Sequence, residues 1–267
     1  MAAAALWSYG CPALHERVSE ILQRHSTNPA DVREVALSGL DLAHLRHVLD
    51  LGCGYGFMAE AIARRTAPDA RIVGVDAWAS NQAPFLRKIA GTGRRGSFRC
   101  MEVDAALPWP DGRFDLAVCC YSLYFFVEVL PEVARVLAPG GLFVTVTHSE
   151  HRLAGQLPHA GFGDAAAGLL SVTRRFSAEN GEERLRRFFG TVERIEYRNT
   201  LRFEARHVDD LQTYLRFKLP LLVPGAAPGD ELPARLSRYL RETLERDGEL
   251  VVEKNDAIFR CREPNAR

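Results

Sequence analysis

Neither sign of charge predominates in this chain. Lys plus Arg and Asp plus Glu each number 34, so the overall balance gives no reason to expect nucleic acid or an anionic membrane as partner. No run of about 18 apolar residues occurs, which excludes a membrane-spanning helix. The alanine-rich start has neither a basic leader nor an apolar core of signal-peptide length, so a cytoplasmic location is expected. The six cysteines show no CxxC spacing and fall mostly in apolar, strand-like runs, which reads as reduced thiols packed in a core. There is no internal repeat, and no low-complexity tract beyond the first few alanines. With 267 residues, 47% hydrophobic and 25% charged, the chain can bury a full core as one large domain or a domain with added segments.

The chemistry concentrates in residues 48–56, an apolar run ending in Asp50 and followed by Gly52, Gly54 and Gly56 at every second position. This reads as a buried strand breaking into a tight turn that opens a helix. Glycines there would let a ligand lie directly against the backbone. Phosphate binding would want a Lys-Ser/Thr pair after the glycines, where Phe57, Met58 and Ala59 stand instead, and Asp50 would repel an anion. A cationic ligand bearing hydroxyls fits better.

From residue 46 the pattern alternates. Strands are expected over 46–51, 71–76, 97–103, 115–120 and 141–147, with helices over 57–66, 81–90 and 129–137 between them. Such alternation implies an α/β fold, a doubly wound, mostly parallel sheet with helices on both faces. A helix over 12–24 and a short helix within 32–45 should precede it as an N-terminal cap spanning residues 1–45. After the core (46–149) the rhythm breaks, and 150–190 reads as a lid or substrate segment ending in a helix over 182–189. Residues 191–262 should add an extended strand or strand pair over 191–203 and a last strand over 249–261 with a turn at Asn255-Asp256, together an antiparallel edge on a seven-stranded sheet. A helical insertion (206–247) separates them. Ligands of such sheets sit at the carboxyl ends of the strands, where Asp50, Asp76, Asp104 and the glycines all fall.

Residues 46–149 resemble the core of class I S-adenosylmethionine-dependent methyltransferases, a Rossmann-like fold. Asp50 to Gly56 is similar to the family's first motif, acid-x-Gly-x-Gly-x-Gly. Asp76 matches its second-strand acid, and Asp104 heads a segment similar to its acid-x-x-x-Leu-Pro-aromatic stretch. Glu132 to Gly141 resembles the helix and turn before the fifth strand. One departure is Ser122-Leu-Tyr-Phe-Phe126 after the fourth strand, where the family often has His or Pro. No Asn/Asp-Pro-Pro-aromatic motif is present, against the amino-directed nucleic-acid enzymes that carry one.

The resemblance implies a cofactor, S-adenosyl-L-methionine, leaving as S-adenosyl-L-homocysteine. Its expected contacts are Asp50, Gly52, Cys53, Gly54 and Gly56 at the turn, Asp76 on the ribose hydroxyls, Ala77, Trp78 against adenine, Asp104 at the adenine amine, Ala105, and Tyr121 beside the methyl donor. Cys53 and Tyr55 would contribute backbone groups. For the reaction, His148 after the fifth strand is the expected base, with Tyr121 at hand and Tyr9 closing over the site. Glu150 and His151 lack a third ligand group, so no metal is expected. The acceptor should be a small molecule, methylated on O, N or C by in-line displacement. The basic pairs and clusters, Arg94-Arg95 and Arg184, Arg186 and Arg187, read as solvated faces rather than an RNA or protein surface. A nucleic-acid or protein methyltransferase and a non-catalytic cofactor-binding protein stay as alternatives, and the inserted segments could serve equally as a homodimer interface.

Overall fold

The computed structural model describes residues 3–152, 163–223 and 225–265. After a short 3-10 segment, Ala3–Gly10, helix α1 (Pro12–His25) starts with proline in its first turn, where no backbone donor is needed, and ends with Arg24 and His25. Val18 and Ile21 are its buried stripe, with Leu14 and Leu22 partly buried beside them. Helix α2 (Val32–Leu37), the short helix expected within 32–45, is capped by the Asp31 side chain accepting from Arg33 N.

Strands β1 (His47–Leu51), β2 (Arg71–Asp76), β3 (Arg95–Cys100), β4 (Phe114–Cys120) and the start of β5 (Leu137–Arg152) form a parallel sheet. Helices α3 (Phe57–Ala63), α4 (Gln82–Ala90) and α5 (Leu130–Val136) connect them. Two antiparallel strands, β6 (Phe189–Tyr197) and β8 (Glu249–Pro264), complete the path β3-β2-β1-β4-β5-β8-β6. Those are the seven strands expected; an eighth, β7 (Thr200–Glu204), pairs with the first part of β8. Alternate residues of β1 feed opposite faces: Val48 packs with Ile72, Leu116 and Ile258, whereas Leu49 and Leu51 pack with Phe143, Phe189 and Phe259. Each such fully buried side chain contributes about 1.5–3 kcal/mol.

A third apolar cluster lies over the strand ends. It joins α1 and β7 to helices α6 (Gly163–Thr173), α8 (Val208–Leu222) and α9 (Ala234–Asp247), with Phe203, Tyr214, Leu240 and Val252 among its buried residues. The short helix α7 (Gly181–Leu185) packs at the other end, against β6 and β8. Among the described residues no helix is long and apolar enough to cross a membrane.

Two expectations need correction. Strand β3 covers 95–100 rather than 97–103, because it pairs with β2 residue for residue and ends where β2 ends, at Asp76 opposite Cys100. Nor does β8 turn at Asn255-Asp256. Asp256 is paired on both sides, with His148 of β5 and Tyr197 of β6, so the backbone there has no freedom to reverse. The expected lid includes 153–162, which lie outside the described residues; its later part holds α6 and α7.

Candidate functional site

The order of strands reverses between β1 and β4, and a cavity of about 800 Å³ opens at their carboxyl ends. Its floor is the glycine turn. Gly52 has φ 65°, and a Cβ there would fall 2.4 Å from Ser122 Oγ, so a larger residue would be strained twice over. Gly54 has φ 50°, and a Cβ there would meet nothing nearer than His15 at 3.7 Å, so its face is open to the cavity. Cys53 N donates to Val75 O, tying the turn to β2. Tyr55 does more than lend its backbone: its hydroxyl lies 2.6 Å from Ser19 Oγ of α1 and fastens the cap to the turn.

Asp76 Oδ2 accepts from Gly54 N at 2.9 Å, while Oδ1 accepts from Trp78 N at 2.9 Å and Asn81 Nδ2 at 3.1 Å. Burial raises its pKa even so, against the pull of those donors. Asp50 is in a starker position. It is 1% exposed, lines the cavity, and its Oδ2 has no hydrogen-bond partner. Burial, and then the charge of Asp76, push its pKa well above the usual carboxylate range. Ala77 and Trp78 line the cavity as well. Asp104 and Ala105 do not: both are exposed, and Asp104 accepts from Ala106 N in a local turn. Glu102 and Val103 stand at the wall instead, because β3 ends early and the chain peels away before Asp104.

At the opposite wall four side chains meet that sequence reasoning brought together only in part. Asp256 Oδ1 lies 2.8 Å from His148 Nδ1, and Tyr121 Oη donates to Asp256 Oδ2 at 2.7 Å. Lys254 Nζ donates to the same Oδ2 and lies 4.7 Å from the centre of the Tyr121 ring. The Tyr121 and His148 rings stack at 4.6 Å, with Tyr124 on the same imidazole at 5.9 Å. Burial works against the charge of Asp256, but Lys254 and His148 hold its carboxyl well below the usual range. Burial and Asp256 push the Tyr121 phenol up, so it remains a donor. Tyr121 carries φ 57° at the end of β4, a conformation costing about 1–3 kcal/mol that the buried network holds in place.

Lys254 and Asp256 escaped the sequence reading because an Asn-Asp pair suggests a turn. The available signal was their spacing: on β8, Val252, Lys254, Asp256 and Ile258 share one buried face, and charges on such a face call for partners.

The roof comes from the caps. Tyr9 packs its ring 4.9 Å from Phe217 of α8 and 5.5 Å from Phe125. His15 stands above Gly54, 4.8 Å from the Phe217 ring, and its Nδ1 has no hydrogen-bond partner. Burial, helped by the charge of Lys218, lowers its pKa to about 3, so it is a neutral ring. The 3-10 segment is held by Asn81 Nδ2 donating to Tyr9 O, Ser80 Oγ to Gly10 O and Trp7 Nε1 to Ala226 O. Glu150 is turned away from the cavity, accepting from Arg174 and Ser177, and the His151 side chain lies outside the described ones.

A glycine turn at the switch point, acids at the ends of β1 and β2 and an antiparallel strand inserted beside β5 define a Rossmann-like sheet with a ligand cavity at its strand ends. Residues 48–141 match the family model described as a methyltransferase domain. The chain is 38% identical over 105 residues to the demethylmenaquinone methyltransferase of Thermus thermophilus, an overlap of 38% of this chain and 46% of that protein. It is 37% identical over 110 residues to the ubiquinone/menaquinone biosynthesis C-methyltransferase UbiE of Geobacter sulfurreducens, covering 39% of this chain and 43% of that one. The chain thus spans less than half the length of these curated relatives. Among solved structures, the YcgJ protein of Bacillus subtilis is similar with a TM-score of 0.56 and 17% identity, over 94% of this chain and all of that one. The 4+2 cyclase SpnF is similar at 0.54 and 19%, over 97% of both chains. At such identities the likeness is one of fold.

Proposed function

We propose that this protein is an S-adenosylmethionine-dependent methyltransferase acting on a hydroxyl group of a small aromatic molecule. The observation that carries the reading is one continuous cavity running from a buried carboxylate, Asp50, whose Oδ2 has no hydrogen-bond partner, to a buried His148–Asp256 pair under an aromatic roof. The residues fit the cofactor. Asp50 would be satisfied by a cationic group, Gly54 leaves room for a ligand against the backbone, and Asp76 lines the same cavity as a carboxylate able to accept from ribose hydroxyls. S-adenosylmethionine would supply a methyl group on a sulfonium that leaves as the neutral thioether of S-adenosylhomocysteine.

The protein's own work is to align the acceptor and take its proton. With Asp256 ionised, His148 Nδ1 donates to it, so Nε2 is the nitrogen with a lone pair. His148 would take the acceptor's hydroxyl proton at Nε2, and Asp256 would stabilise the imidazolium so formed. Alignment in an enclosed site is worth about 7–11 kcal/mol in favourable systems. Tyr9, Tyr124, Phe125 and Phe217 line the space a flat ring would occupy and exclude water from it. Two relatives carry quinone names, and a quinol has the flat ring and hydroxyls this site suits; one of them is named a C-methyltransferase, so the relatives support the acceptor's ring and not the choice of oxygen over carbon.

Calorimetric titration with S-adenosylmethionine and S-adenosylhomocysteine tests the first half; micromolar binding of both is expected, and no binding of either overturns the reading. Transfer of a labelled methyl to a panel of quinols, catechols and hydroxybenzoates tests the second. Labelling only of amines or of protein would overturn the acceptor class.

A further inference from the structure

Asp256 divides its two oxygens. Oδ1 receives His148 Nδ1, whereas Oδ2 receives the Tyr121 hydroxyl and the Lys254 ammonium. All of this is buried, Lys254 at 7% exposure and Asp256 at 1%. Against the imidazole stand Asp256 from β8, Tyr121 from the end of β4 and Tyr124 from the 3-10 turn beyond it, and Lys254 from β8 reaches the same cluster through Asp256 and the face of the Tyr121 ring.

A histidine beside a lone buried carboxylate is drawn into its charged form, because the opposite charge favours the imidazolium. Such a histidine holds its proton to higher pH, so less of it is available as a base at neutral pH. An ammonium on the far oxygen changes the balance: with Lys254 charged, Asp256 charged and His148 neutral, the cluster carries no net charge in a medium that penalises any. We infer that Lys254 is a positioning residue for the proposed methyl transfer, neutralising Asp256 so that His148 is oriented by the carboxylate without being charged by it. The inference rests on the reading of His148 as base.

Lys254→Gln tests it, since glutamine keeps a donor for Asp256 and removes the charge. In ligand-free protein with ¹⁵N-labelled histidine, the His148 titration should move up by about 1–3 pH units. The acid limb of the kcat/KM profile should follow, with activity at neutral pH falling at least about tenfold and returning in alkali. Lys254→Arg should restore both. In the double variant with Asp256→Asn the titration should return to the wild-type position or below it. An unmoved titration in a folded Lys254→Gln protein overturns the inference, as does the same upward shift in the double variant. A purely structural lysine would lower stability without moving either profile. If the titration moves as stated but the wild type binds neither cofactor form, the functional reading fails while the charge relationship stands.

Discussion

His148 and Asp256 face each other across the β5–β8 strand pair although 108 residues separate them in sequence, and Nδ1 lies 2.8 Å from Oδ1. Because β6 pairs Tyr197 with the same Asp256, the backbone at Asp256 is held from both neighbouring strands. An imidazole whose orientation is built into the sheet needs no ligand to set it.

Removing that carboxylate should be costly. Asp256→Ala takes away the acceptor shared by His148, Tyr121 and Lys254, and breaking a buried pair from one side costs about 3–5 kcal/mol. Denaturant unfolding measures this. The depressed carboxyl also sets a sign: its stabilisation is full above the unfolded value near 3.9 and is lost as pH falls below it. Stability should therefore fall less steeply in acid for the variant than for the wild type.

Asp50 has the opposite sign. Its folded pKa is raised, so above the unfolded value near 3.9, and up to the folded one, each pH unit upward lowers stability by about 1.4 kcal/mol. Asp50→Asn should remove that slope and stabilise the ligand-free protein at neutral pH, while weakening binding of S-adenosylmethionine. Thermal melts across pH and calorimetry should give these two opposite changes; a variant both less stable and tighter binding would contradict the account.

Asp76 and Asp104 should behave differently despite their similar places in the motif pattern. Asp76→Ala removes the acceptor for Gly54 N, Trp78 N and Asn81, and should weaken cofactor binding by roughly 1.5–3 kcal/mol. Asp104 is exposed and holds only Ala106 N, so Asp104→Ala should change stability by no more than about 0.5 kcal/mol and leave affinity nearly unaltered. A large loss of affinity in Asp104→Ala would mean that the loop after β3 folds inward around the ligand.

Gly52→Ala should damage both fold and site. The added methyl meets Ser122 Oγ at a positive φ, and the turn must shift to admit it. Destabilisation of about 1–3 kcal/mol is expected, with a matching loss in cofactor titration. Pairing it with Ser122→Gly should recover the steric part but not the part due to φ.

The Rossmann-like core was legible because its signals are local. A strand run, a glycine turn and a helix lie within a few residues of each other at Asp50 to Ala63, and β2 has the bounds its Ile72, Val73 and Val75 predict. The acids Asp50 and Asp76 reach the cavity for the same reason, each being the strand end next to a turn. Asp104 does not, because where β3 ends depends on β2 rather than on the residues of β3 itself.

Sequence alone determined the order of strands and helices and the glycine turn, since apolar periodicity and glycine conformation act over a few residues; it put His148 just past the fifth strand, whereas β5 runs on to Arg152 and holds His148 within it. Only the tertiary structure decided what His148 faces. Lys254 and Asp256 reach it through the pairing of β8 with β5, and cross-strand register between distant segments is set by the packing of whole sheets, which no short stretch of residues encodes.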